Sequence, residues 1–202
     1  VIFAWIAIVI FIIIVVIIAI QRDNSDGNQP YIFEAPEKTA GRQGEAIAAS
    51  AIRQVLREDD FLFTNVTISF DGKPAEMDNV IVNKYGVFII EVKNYKGLLV
   101  GDEDDYEWEK YKSDGYGNTF LKTVKNPIKQ VKRQVYVLAK YLQYYGADVW
   151  VEGYTLFVQG NSPVESGRVL KSVADIDRVM HTVTRKRLDA KTVTAVKKIL
   201  GD

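Results

Sequence analysis

The chain of 202 residues contains no cysteine, and its one histidine is His181. Disulfides and thiolate metal sites are therefore excluded, and a multi-histidine zinc site is unavailable. Any metal held here must be a hard ion bound through carboxylates and carbonyls. The lack of cysteine also fits a reducing compartment. Net charge is absent too, with 26 lysines and arginines against 26 aspartates and glutamates. Overall charge thus offers no nucleic-acid signature, and a polyanionic partner would have to meet a local basic patch. Gly41-Arg42-Gln43-Gly44 lacks the Gly-Lys-Ser/Thr ending of a phosphate loop, which removes a nucleoside-triphosphate reading. No internal repeat is visible.

What the chain does have is one long apolar run. Val1 to Ile20 carries no charged residue and is dominated by isoleucine and valine. At about 1.5 Å per residue a helix of this length spans roughly 30 Å, the thickness of a bilayer's hydrocarbon core. A buried core helix would rarely be apolar on every face. A secretory signal fits poorly, because the run is long for an h-region and Ala19-Ile20-Gln21 is a weak cleavage site. The expectation is a single transmembrane helix over residues 1–20, with Trp5 near one interface. The chain opens on Val1 without a charged lead-in, so orientation is read from one flank only; Arg22 favours a cytoplasmic globular domain.

Residues 21–39 are polar, with Gly27, Pro30 and Pro36, and read as a linker; residues 40–202 then form one domain. A helix is expected from around Gly41–Gly44 to Leu56, with Glu45 in its first turn, where a carboxylate suits the helix dipole. Strands are expected at 61–70, 75–82, 87–92, 98–100 and 106–108. A turn follows at 113–118, then a long helix at 127–145, strands at 149–159 and 168–170, and helices at 174–182 and 190–200. This order points to a mixed α/β domain.

The densest chemistry lies between Asp78 and Lys93. Asn79–Val82 and Val87–Val92 are rich in β-branched residues, with Asn83-Lys84-Tyr85-Gly86 as a turn between them. Glu91 and Lys93 are two apart, so on a strand they point to the same face. Beside the run Val87-Phe88-Ile89-Ile90 such charges are costly unless paired, metal-bound or used. Two carboxylates and an ammonium are also the parts that hold a divalent cation and activate water for phosphodiester cleavage.

Five pieces stand in order: Gly41-Arg42-Gln43-Gly44-Glu45, Met77-Asp78-Asn79-Val80-Ile81-Val82, Gly86-Val87-Phe88-Ile89-Ile90-Glu91-Val92-Lys93-Asn94-Tyr95-Lys96-Gly97, Trp108, and Asn126-Pro127-Ile128-Lys129-Gln130. This arrangement resembles the nuclease-related domain (NERD) family of the restriction-endonuclease-like PD-(D/E)xK superfamily, over roughly Gly41 to Gln159. The resemblance implies a central mixed sheet flanked by helices. It implies that Asp78 and Glu91 bind the metal, Mg²⁺ or Mn²⁺, with Glu45 completing the site. Lys93 would orient the water and stabilise charge, and Gln130 would be the polar residue presented by the later helix. The chain departs from the family at Asn79, where a histidine is frequent, which removes one polar contact. The partner implied is nucleic acid, DNA in the first reading. Homodimers are common among restriction-like enzymes, though no residue here marks an interface.

Blander readings exist for each feature. Glu91 and Lys93 could be an exposed ion pair, Glu45 a capping carboxylate, and Gln130 a surface residue of an amphipathic helix. Lys122, Lys125, Lys129, Lys132 and Arg133 could track a nucleic-acid backbone or simply form a solvated face. His181 reads as structural or exposed, and Tyr141, Tyr144 and Tyr145 as packing residues. Asp102-Glu103-Asp104-Asp105 reads as a solvated loop tip away from any cleft. At the level of function, a membrane-anchored metal-dependent nuclease competes with a non-enzymatic binding module on the same fold. A scaffold with a vestigial site is the third alternative.

Overall fold

The computed structural model describes residues 36–114 and 116–201. The expected anchor over residues 1–20 lies outside them, as does most of the expected linker. Among the described residues, no helix is long and apolar enough to cross a membrane.

The domain begins with α1 (Pro36–Val55), β1 (Phe61–Phe70), β2 (Lys73–Asn83) and β3 (Gly86–Lys93). A small sheet follows, made of β4 (Leu98–Val100), β5 (Glu107–Ser113) and β6 (Thr119–Lys125). The chain closes with α2 (Pro127–Tyr144), β7 (Val151–Phe157), β8 (Val169–Leu170), α3 (Val173–His181) and α4 (Ala190–Gly201). The central sheet runs in the order β1-β2-β3-β7-β8. The meander β1-β2-β3 is antiparallel, whereas β7 and β8 join in parallel. This is the mixed sheet flanked by helices.

Alternation along β2 and β3 explains the layers. Val80, Val82, Val87 and Ile89 point to one face, against Val131, Leu138 and Leu142 of α2 and Val193 and Val196 of α4. Ile81, Phe88, Ile90 and Val92 point to the other, against Ala48 and Ile52 of α1 and Ile176 and Met180 of α3. Both faces are covered, which is why these strands read as continuous apolar runs. Each such side chain contributes about 1.5–3 kcal/mol by leaving water. Facing α2, Gly153 of β7 is a point of close approach, since a Cβ there would stand 2.5 Å from Val135 Cγ2.

Two expectations need correction. Helix α1 starts at Pro36, inside the stretch read as linker, not at Gly41–Gly44. A proline suits a first helical position because no N–H is needed there. The glycines that looked like a helix start are instead interior, and Gly44 has a packing reason. A Cβ on Gly44 would lie 2.6 Å from Asn94 Cβ, just past β3. Asn94 Nδ2 donates to Ala40 O at 2.8 Å across the same contact. Glu45 therefore sits well inside α1 and not in its first turn.

The second correction is β6, which the sequence did not announce. Phe120, Lys122 and Val124 alternate with Leu121 and Thr123, but most of both faces is exposed. No apolar side therefore stands out. Strand β5 also extends to Ser113, and the hairpin pairs from Glu107↔Lys125 to Ser113↔Thr119.

A third cluster of Leu99, Trp108, Ile128, Phe157 and Val169 ties the small sheet to the central one. Trp108 stacks on Phe157 with centroids 6.1 Å apart and donates its indole N–H to Asp102 O at 2.8 Å. Gly97, with φ 97°, lets β4 approach β5 where a Cβ would stand 2.1 Å from Tyr111 O. Asn126 caps α2, its Oδ1 accepting from the Ile128 N–H at 2.9 Å. Its amide nitrogen donates to Glu103 O and Asp105 O, pinning the acidic run by its carbonyls. The side chains of Asp102, Asp104 and Asp105 stay exposed.

His181 proves structural. Its ring nitrogens lie 2.7 Å from Asp177 Oδ1 and 2.9 Å from Asp60 Oδ2, joining the end of α3 to the chain entering β1.

Candidate functional site

The site arises where two strands part. β2 and β3 pair from Asn83↔Gly86 to Asn79↔Ile90 and no further. Beyond that point β2 stays with β1, and β3 stays with β7 through Glu91↔Thr155, Val92↔Leu156 and Lys93↔Phe157. Asp78 and Glu91 are the first residues past the last pair, so the fork sets them side by side. Asn65, at φ 54°, sits in the break of the β1–β2 register opposite Asp78. Asparagine tolerates this left-handed conformation.

Opening a ladder leaves backbone donors to satisfy. The Val92 N–H donates to Asp78 Oδ2 at 2.7 Å. Buried Asn79 spans the same fork, its Nδ2 donating to Ile90 O at 3.3 Å. Asn79 thus helps to hold the fork together.

Glu91 is 3 % exposed and fully engaged. Its Oε1 accepts from Lys93 Nζ and from Gln130 Nε2, each at 2.6 Å. Its Oε2 accepts from Gln134 Nε2 at 2.7 Å. Gln134 also donates to Glu76 O at 2.7 Å, which fixes α2 against β2. An exposed ion pair on a solvated strand is therefore not what Glu91 and Lys93 form.

The electrostatics are strained at Asp78. Burial, then the neighbouring Glu91 carboxylate, push its pKa from 3.8 to about 6, with Glu45 adding a smaller push. The Val92 N–H and Lys93 oppose the rise without cancelling it. Burial alone would lower the Lys93 pKa; Glu91, Tyr95 and Asp78 outweigh it and hold the ammonium above its usual value.

Glu45 from α1, Asp78 from β2, and Glu91 and Lys93 from β3 all line one cleft of about 410 Å³. Lys96, Lys110, Lys112, Lys122 and Tyr95 line it as well. Gln130 does not open onto this cleft. It reaches Glu91 from a neighbouring hollow of about 900 Å³, shared with Lys125, Lys129 and Arg133. The basic stretch that reads as either a backbone track or a solvated face is divided between these hollows. Lys122 faces the acid cleft, whereas Lys129 lies 4.4 Å over the Tyr106 ring. Lys132 pairs with Glu103 at 3.1 Å, and Arg133 donates to Pro74 O.

Sequence reasoning missed Gln134, Tyr95, Lys110 and Lys112. Gln134 had a signal, being four residues past Gln130 and a polar interruption in the apolar stripe of Val131 and Leu138. The lysines had none, because the hairpin that brings them over the cleft was not foreseen.

The donor set is that of a hard cation: carboxylates from Glu45, Asp78 and Glu91, with no sulfur or imidazole in the lining. An ion beside Asp78 would relieve the crowding that raises its pKa. Among the described residues, no group of three or more aspartate, glutamate, histidine or cysteine side chains is placed to hold a metal ion. A hard ion at this cleft would take one or two carboxylates and fill its other positions with water.

The chain is similar to an uncharacterized protein of Bacillus anthracis, 26% identical over 93 residues, 44% of each chain. It thus spans less than half the length of that relative. No solved structure matches it. The profile of the nuclease-related domain covers residues 40–158, more than half of the chain and the whole of the forked site, and the chain belongs to the NERD (nuclease-related domain) family.

Proposed function

We propose that this protein is a divalent-metal-dependent phosphodiester hydrolase acting on nucleic acid, DNA in the first instance. The observation that carries the reading is the convergence of Glu45, Asp78, Glu91 and Lys93 in one cleft at the strand fork. Asp78 and Glu91 would hold Mg²⁺ or Mn²⁺, with Glu45 contributing from α1. When bound, such an ion polarises the phosphoryl group and lowers the pKa of a coordinated water. Lys93, kept protonated by its acidic neighbours, donates to the negative charge that develops on phosphorus-bound oxygen. Gln130 and Gln134 orient the Glu91 carboxylate from behind. The apolar run of residues 1–20 would hold this domain at a membrane, on its cytoplasmic side.

The test is incubation of the full chain with DNA and with RNA, plus Mg²⁺ or Mn²⁺. Cleavage should fall about 10²-fold or more in Lys93→Ala and vanish in Asp78→Ala.

One observation favours a second reading, a binding module without catalysis. Both Glu91 oxygens are already taken by Lys93, Gln130 and Gln134. If that arrangement persists with metal present, nucleic acid would bind and remain intact. Binding without cleavage on every DNA and RNA form, with no metal-induced rise in Tm, would select this reading over the first.

A further inference from the structure

The acid cleft is lined by carboxylates and by lysines drawn from several elements. On the α1 side it is lined by Ala40, Gly41 and Glu45. Lys93 at the end of β3, beside Glu91, and Lys96 just past it line the cleft too, with Lys110, Lys112 and Lys122 on the small sheet. Five lysines thus meet three carboxylates in the lining of a chain whose overall charge is zero. The local basic patch that a polyanion requires is here, and three of its lysines belong to one hairpin.

Strand register shows how that patch is built. Directly opposed residues of an antiparallel hairpin share a face. The pairs Trp108↔Val124, Lys110↔Lys122 and Lys112↔Phe120 therefore lie in sequence along one face of β5 and β6. The face is anchored at its base by buried Trp108 and becomes exposed toward the tip, where Phe120 is 57% exposed. Lys110 and Lys122 oppose each other directly, which sets two ammonium groups side by side on this face. Lys110 also lies 5.2 Å over the Tyr95 ring, and Tyr95 feels the charge of both Lys93 and Lys122. A second hollow of about 280 Å³ continues the path, lined by Lys110, Lys112, Ser113, Asp114, Phe120 and Lys122.

We propose that this face of the β5–β6 hairpin is a track for single-stranded nucleic acid, with phosphates on Lys110, Lys112 and Lys122 and a base stacked on Phe120. The proposal rests on the nuclease reading of the cleft and names the form of its substrate. A duplex presents two backbones, whereas Lys110, Lys112 and Lys122 lie along one face of a single hairpin. A cleft of about 410 Å³ is also the size that encloses a small ligand or a short stretch of strand. Lysines combined with an exposed aromatic ring are the parts of a single-strand platform, in which charge follows the backbone and stacking accepts any base. The face leads from the fork outward, so a strand lying on it would deliver a phosphodiester to Asp78, Glu91 and Lys93.

The experiment is a binding titration of the full chain in detergent, with EDTA present so that cleavage plays no part. The probes are fluorescent oligothymidylate, oligouridylate and a blunt duplex of equal length, each across a range of salt. The single strands should bind more tightly than the duplex, and the DNA and RNA probes identify which backbone is preferred. The triple variant Lys110→Gln/Lys112→Gln/Lys122→Gln should lose three phosphate contacts, flattening the log–log salt slope by about 2. Phe120→Ala should weaken binding about five- to 150-fold. Lys125→Gln makes the same charge change on the opposite face of β6 and should leave affinity unchanged. Since Lys110 touches Tyr95, the double variant at exposed Lys112 and Lys122 repeats the test without that contact, with a slope change of about 1.4. Duplex binding as tight as single-strand binding, or an unchanged salt slope in the lysine variants, would overturn the proposal. Binding as described but no cleavage when metal is added would overturn the hydrolase reading and leave the track standing.

Discussion

Asp78 is where function and stability conflict in this protein. Its carboxyl is held at about 6 against an ordinary 3.8, chiefly by burial and by Glu91. A raised carboxyl pKa means that the folded state keeps a proton the unfolded chain has already released. Its contribution is fully present below about pH 4 and is lost as pH rises toward 6. Apo-protein stability should therefore fall across this window in urea titrations, and the Asp78→Asn variant should lose that slope. An asparagine oxygen can still accept the Val92 N–H. The same variant should accordingly be more stable at pH 7, by on the order of 1–3 kcal/mol, while losing metal-dependent activity. A loss of stability at pH 7 would show that the charge at Asp78 is better compensated than burial implies. Glu91 is the opposite case, since its three donors would lose their acceptor on truncation. Glu91→Ala should destabilise the fold by about 3 kcal/mol or more, visible as a lowered urea midpoint.

Helix α1 reaches the cleft because it lies close to the end of β3, and Gly44 permits that approach. The two glycines of α1 differ in a way that can be measured. A Cβ on Gly41 meets nothing within 4 Å, whereas one on Gly44 meets Asn94 Cβ at 2.6 Å. Gly41→Ala should stabilise by about 0.5–1 kcal/mol through helix propensity. Gly44→Ala should destabilise by about 1–3 kcal/mol despite the same propensity gain, because packing is violated. Chemical denaturation of the two variants makes the comparison. The reading of a helix start at Gly41–Gly44 failed for this reason. Glycine in sequence looks like a boundary, but here it marks contact with a residue 50 positions away. Strand β6 was hidden for a related reason. Its burial runs almost wholly exposed, so no apolar alternation distinguishes it from a loop.

For the molecule as a whole, the neutral total charge conceals an uneven distribution. Three acids and five lysines gather around one cleft, and that local concentration, not net charge, governs what can approach. The apolar run of residues 1–20 leads to a separate expectation. In membrane flotation the full chain should float with lipid, and a chain lacking those residues should not. Flotation of both would locate the attachment within the folded domain.

Central strands, the long capped helix and the charged residues on β2 and β3 were legible because their determinants are local. β-Branched runs, Asn126-Pro127 and the two-residue spacing of Glu91 and Lys93 each act over a few positions. The family words then linked Glu45, Asp78, Glu91, Lys93 and Gln130 in order. What order alone could not convey is that β2 and β3 part after Asn79↔Ile90, and that this fork raises Asp78 and satisfies Val92 with it. Nor could it place Gln134 on Glu91, or bring Lys110, Lys112 and Lys122 over the acids. Those facts depend on which strand pairs with which and on where pairing stops, and such long-range contacts leave no periodic trace in the chain.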